Sequence, residues 1–255
     1  MVSIPLFGNR PETPPGPLRC YSRPVLSFPP LLAATFVSRP NRYLVVAERH
    51  GRRFEAACRD PGRLDWLLRP GLPLRLRPAA RPGRRTAFDL VLARRDGVWV
   101  SLVPTLANRL FEHAIARGTV PGLRGAQVIR REVAHGRSRF DFLLRHRGRP
   151  VLVEVKSVGL VERGRALFPD APTARGARHL RELAAHARRG GAALLAFVVQ
   201  RPDAVSVHPH RHLDPAFAEA LVEARRAGVR LLGLACRLDT RRARIVGRLP
   251  VVPPR

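Results

Sequence analysis

A change of rhythm at Pro104 constrains this 255-residue chain more than any other feature. Before it, short apolar stretches at 42–47, 53–58, 72–76, 87–92 and 97–103 are punctuated by Gly and Pro at the spacing of a small barrel. After it, Leu106, Leu110, Ala114 and Ile115 recur at helical spacing, and strands and helices then alternate. Strands are expected at 127–133, 139–144, 150–158, 192–200 and 229–237, and helices at 174–189 and 215–227. Asp214 before Pro215 is an N-cap and first-turn pair, and Gly190 and Gly228 stand where helices end. The pattern divides the chain into a Pro-rich, disordered or variable extension over 1–24, an all-β barrel domain over 25–104 and an α/β domain over 105–255.

No apolar run approaches the roughly 18 residues that a membrane span needs, and the first residues lack a secretory pattern. A soluble, cytoplasmic protein is expected. Cys20, Cys58 and Cys236 are far apart and show no C-x-x-C spacing, so neither a zinc knuckle nor a disulfide framework is indicated, and reduced thiols in the core or at the surface are expected. The 47 basic residues oppose only 19 acidic ones, for a net charge of +28. A compact fold this positive repels itself unless a polyanion neutralises it, and nucleic acid is the expected partner. DNA is favoured, with RNA as the other choice.

In Val151-Leu-Val-Glu-Val-Lys-Ser157 the side chains alternate, so Glu154 and Lys156 share one face of a strand. A hairpin turning at Arg147-Gly148 brings Asp141 opposite Glu154. Directly opposed like charges destabilise a strand pair. A divalent cation offsets this, and two carboxylates supplemented by the Val155 carbonyl suit Mg2+ or Mn2+. Such an ion activates water and stabilises charge on a phosphodiester. Lys156 is the only lysine among the 47 basic residues, and its compact ammonium can orient that water or stabilise the transition state. Asp141, Glu154 and Lys156 are therefore the candidate catalytic residues.

This constellation resembles the PD-(D/E)xK nuclease-like superfamily. More closely, the chain resembles the sugar fermentation stimulation protein A family, through Phe28-Pro-Pro-Leu31, Ala107-Asn-Arg-Leu110, Ser138-Arg-Phe-Asp-Phe142, Glu154-Val-Lys-Ser-Val158, Phe168-Pro-Asp-Ala171, Thr173, Arg175-Gly176, His179-Leu-Arg-Glu-Leu183 and Arg211-His-Leu-Asp214. The resemblance implies an OB-like barrel followed by a nuclease-like α/β domain, a mixed sheet flanked by helices. It also implies a competing function, that of a non-catalytic, sequence-nonspecific DNA-binding regulator of sugar metabolism. Asp141 follows Phe140 rather than Pro, and Pro169-Asp170 lies downstream of Glu154, in the wrong order for the motif. The family's Pro-Asn-Thr-Gly stretch stands here as Arg59-Asp60-Pro61-Gly62.

Glu112 on the first helix is a further candidate metal ligand, and Glu132 a weaker one. Arg175, Arg178 and His179 begin a helix whose N-terminus favours phosphate, so all three are candidate nucleic-acid contacts. His208, His210 and His212 alternate like a metal cluster but fit a loop. Trp66, Tyr43 and Phe54 are expected in core packing rather than as stacking platforms for bases.

Overall fold

In a computed structural model of the chain, the described residues are 25–79 and 83–254. The expected extension over 1–24, with Cys20, lies outside them. The first strand, β1 (Leu26–Ser27), is followed by the barrel strands β2 (Leu32–Asn41), β3 (Leu44–Arg49), β4 (Arg52–Ala57), β5 (Pro73–Pro78), β6 (Phe88–Arg95) and β7 (Val98–Ser101). These pair in the order β4-β3-β2-β5-β6-β7, and a parallel β4–β6 contact closes five of them into a barrel. Alternation produces its filling: Leu74 and Leu76 point inward while Arg75 and Arg77 stay half-buried on the outside. Leu64 and Leu67, from the loop between β4 and β5, pack into the same core.

Beyond Pro104 come α1 (Thr105–Ala116), β8 (Gln127–His135), β9 (Ser138–His146), β10 (Arg149–Val158), β11 (Val161–Glu162), β12 (Arg165–Phe168), α2 (Ala174–Arg188), β13 (Ala192–Val199), β14 (Ser206–Pro209), α3 (Pro215–Arg226), β15 (Arg230–Leu238) and β16 (Arg242–Leu249). The main sheet has the order β1-β16-β15-β13-β10-β9-β8, with β10, β13 and β15 parallel and the flanking pairs antiparallel. Helix α1 packs on one face of the sheet, and α2 with α3 on the other. Central β13 is covered on both sides, which is why its sequence is a continuous apolar run rather than an alternation. Strands β11, β12 and β14 form a small separate sheet.

The helix ends follow the local chemistry. Asp214 accepts a hydrogen bond from the Phe217 N–H at 2.9 Å and, through its other oxygen, one from the Thr173 N–H at 2.8 Å. One buried carboxylate thus anchors α3 and the residue that caps α2. Gly228 takes φ +93° just past α3, a left-handed conformation that costs glycine nothing. Val91 and Leu92 of the barrel share a hydrophobic cluster with Leu106 and Leu110 of α1, so the two halves have a common core.

The expected fold class, a barrel followed by a mixed sheet flanked by helices, is the observed one. One segment differs. Leu26 and Ser27, inside the range expected for the barrel, pair with β16 instead, and the Phe28 N–H donates to the Arg241 carbonyl at 2.7 Å. A two-residue strand followed by Pro29 and Pro30 is too short to carry a readable period. Cys58 and Cys236 are free thiols, both in the core rather than at the surface. Among the described residues no helix is long and apolar enough to cross a membrane.

Candidate metal and nucleic-acid site

Strands β9 and β10 form the expected hairpin. Their ladder runs from Arg149 opposite His146 to Val153 opposite Phe142, a register that puts Asp141 opposite Glu154 one step further on. There the backbone pairing gives way to side chains. The Val155 N–H donates to Asp141 Oδ2 at 2.7 Å, and Asn108 Nδ2 of α1 donates to Oδ1 at 2.7 Å. The N–H and C=O of a strand residue point the same way, so the Val155 carbonyl faces this gap too. Burial, reinforced by the charge of Glu154, pushes the Asp141 carboxyl up to about 6 despite the Val155 and Asn108 donors.

Glu154 is more buried and is held differently. Its Oε1 accepts from Lys156 Nζ at 2.5 Å and from His179 Nδ1 of α2 at 2.7 Å. Its Oε2 is buried and has no hydrogen-bond partner. Burial alone would raise this carboxyl, but the His179 hydrogen bond and the Lys156 ammonium outweigh it and hold the group below its ordinary range. Lys156 is itself largely covered, with 13% of its side chain exposed. The two carboxylates thus have opposite characters, one pushed toward its protonated form and the other held ionised.

Other expected residues fall elsewhere. His179 is 1% exposed and bonded to Glu154, so it is no phosphate contact, a correction that follows from α2 docking with this side chain against the sheet. Arg175 and Arg178 do lie exposed on the first turns of α2. Glu112 is engaged by Arg131 at 2.6 Å, and among the described residues no three His, Cys, Asp or Glu side chains cluster as a metal-holding group. A salt bridge across to β8 holds the Glu112 carboxylate. Glu132 is exposed at a residue of φ +52°. His208 lies on β14 beside Ser206, whereas His210, in the loop that follows, contacts the Pro169 carbonyl, so the histidine run is strand at its start and only afterwards the loop expected for all of it. Phe54 stacks on Phe88 and Trp66 packs on the barrel core, whereas Tyr43 is 61% exposed.

Sequence reasoning gave no role to Asn108, although a lone amide among the buried apolar residues of α1 was the available signal. It also missed that His179 serves Glu154.

A closed OB-type barrel sharing its core with a mixed α/β domain, with an Asp, a Glu and a Lys gathered where two central strands part, defines the class of protein. The comparisons narrow it. Residues 37–102 match the domain described as "SfsA N-terminal OB domain", and residues 105–242 the one described as "Sugar fermentation stimulation protein RE domain". The chain belongs to the sugar fermentation stimulation protein family. It is 50% identical over 211 residues to the homolog from Moorella thermoacetica, covering 82% of this chain and 91% of that one. With the homolog from Acetivibrio thermocellus the identity is 42% over 225 residues, covering 87% and 97%. The solved structure of Pyrococcus furiosus SfsA in complex with Ca2+ superposes with a TM-score of 0.83 at 31% identity, covering 89% of this chain and 98% of that one.

Proposed function

We propose that this protein binds nucleic acid, preferentially DNA, and hydrolyses phosphodiester bonds with Mg2+ or Mn2+ held by Asp141, Glu154 and the Val155 carbonyl. The observation that carries this reading is Glu154 Oε2, buried and unpartnered on a carboxylate whose other oxygen already accepts two hydrogen bonds. Leaving a buried acceptor in that state costs about 1–3 kcal/mol, more for a charged group. A hard cation with oxygen ligands relieves it. That the Pyrococcus furiosus relative was solved with Ca2+ supports a divalent ion in this fold. When bound, Mg2+ or Mn2+ supplies Lewis acidity and lowers the pKa of a water.

The chain's own residues supply the rest. Lys156 holds a point charge beside the carboxylates, where it orients the attacking water or stabilises charge on the phosphoryl oxygens. Arg175 and Arg178 stand at the N-terminal turns of α2, where helix dipole and guanidinium both favour phosphate. The net charge of +28 draws a polyanion to the surface and favours backbone contacts over base readout.

The deciding experiment incubates purified protein with labelled single- and double-stranded DNA and RNA in Mg2+, Mn2+ or EDTA. Cleavage that needs the metal and is lost in Glu154→Gln is the expected result. One observation favours a second reading, that of a DNA-binding regulator without catalysis: both Asp141 oxygens already accept protein hydrogen bonds. Binding without cleavage under every condition would select it.

A further inference from the structure

We propose that His179 is a positioning residue that fixes which oxygen of Glu154 is left for the cation, and that Arg175 in turn fixes His179. This rests on the metal-centre reading above. Arg175 and His179 lie four residues apart on α2 and so on one face. Arg175 Nε lies 3.3 Å from His179 Nε2, while His179 Nδ1 lies 2.7 Å from Glu154 Oε1. A guanidinium donates and never accepts. His179 Nε2 must therefore be the acceptor, the ring proton sits on Nδ1, and Nδ1–H donates to Glu154. The ring has no room to choose otherwise, being 1% exposed and packed 5.3 Å from the Phe140 ring.

The consequence lies in the carboxylate. Its two oxygens are chemically equivalent, and Lys156 alone would serve either one. With His179 donating to Oε1 alongside Lys156, that oxygen is filled and Oε2 is the one left bare. The side chain is thereby held in a single rotation before any cation arrives. Partners that orient metal-binding groups in this way typically matter about 10–100-fold in metal affinity. Arg175 is exposed and uses only its Nε for His179, so this bond does not engage its two terminal amino groups.

Two measurements on the full-length protein test this, neither of which depends on cleavage. The first is imidazole 15N spectroscopy of the metal-free protein, which should show His179 protonated on Nδ1 and bare on Nε2. An Nε2–H tautomer would overturn the proposal. The second is Mn2+ titration calorimetry on variants whose folding is verified by thermal melts. His179→Ala should weaken Mn2+ binding by about 10–100-fold. His179→Asn, whose amide nitrogen stands close to the place of Nδ1, should recover most of that loss. Wild-type affinity in His179→Ala, or an Asn variant as poor as the Ala variant, would make the residue a packing element only and overturn the role. If the wild-type protein binds no Mn2+ at all, the metal-centre reading fails and this inference with it. Intact wild-type binding with indifferent variants sinks the inference alone.

Discussion

Two pairs of largely buried carboxylates, Asp60 with Asp170 and Asp141 with Glu154, stand among the described residues, and they are treated in opposite ways. The charge of Asp170 acts on Asp60 where the barrel meets the α/β domain. Burial pushes both up, Asp60 to about 6. Their loop is close-packed, since a Cβ at Gly62 would come within 2.5 Å of Asp170 Oδ2. Around Asp60, the Gly62 N–H and the charge of Arg39 are too little to reverse the effect of burial. At the other pair, Asp141 is also raised to about 6, but Glu154 is held down by His179 and Lys156. Two carboxylates brought together therefore do not by themselves make a site. A neighbouring ammonium and imidazole split the second pair into two different acids, and pairs whose environments push them apart are characteristic of chemistry.

The sharpest way to break this comparison is Lys156→Arg, which keeps the charge and changes only its shape. A planar guanidinium cannot replace a compact ammonium 2.5 Å from Glu154 without displacing its neighbours. Cleavage should fall about 10²–10³-fold, the loss expected for one preorganised donor, with DNA affinity almost unchanged. Single-turnover rates beside binding isotherms decide it. Equal rates for both proteins would remove Lys156 from the chemistry.

The next effect separates the pairs by their response to metal. Mg2+ or Mn2+ at a hundredfold over its dissociation constant should stabilise the wild-type protein by about 2.7 kcal/mol. Asp141→Asn should abolish this gain, whereas Asp60→Asn should leave it intact. Thermal melts with and without the ion read both. A gain that survives Asp141→Asn would place the ion elsewhere.

What the sequence revealed of this contrast depended on distance along the chain. The face shared by Glu154 and Lys156 follows from strand alternation, and the register against Asp141 from the turn at Arg147 and Gly148, both of which adopt positive φ. These are local facts. The donors that distinguish the pairs are not. Asn108 reaches Asp141 across 33 residues and His179 reaches Glu154 across 25, each from a helix whose docking angle no periodicity reports. For the same reason His179, read as part of a phosphate-binding helix start, is a buried neighbour of Glu154. The pairing of β1 with β16 joins opposite ends of the described chain and had no local signature. Asp60 and Asp170 lie 110 positions apart and meet only because the two halves share a seam.

A third prediction concerns binding and uses the charge that both pairs sit within. If about six phosphates are contacted, the logarithm of duplex DNA affinity should fall with the logarithm of salt at a slope near −5. Arg175→Ala should make that slope shallower by about 0.9, and Asp60→Asn should not change it. A flat salt response in wild type would remove phosphate contacts as the source of binding.

The smallest effect is on stability and tests the Asp60 pair alone. Its carboxyl titrates at about 6 in the folded chain against an ordinary value of 3.8. The folded state therefore holds a proton that the unfolded state has released between those two values. In that window stability falls as pH rises. The penalty is absent below about pH 4 and complete above about pH 6. Asp60→Asn keeps the acceptor that the Gly62 N–H uses and deletes the charge. It should stabilise the protein by roughly 1–2 kcal/mol at pH 7, discounting for the part of the side chain that water still screens. Near pH 4 the gain should vanish. The difference between the two proteins is the quantity to follow, because Glu154, Asp89, Asp203 and Asp239 are all lowered and impose the opposite trend on each protein's own curve. Denaturant melts of both at several pH values, without metal, measure it. A gain that does not depend on pH would mean that the mutation acts through packing at the seam, and a loss at pH 7 would mean that Arg39 stabilises the ionised Asp60 more than its burial costs.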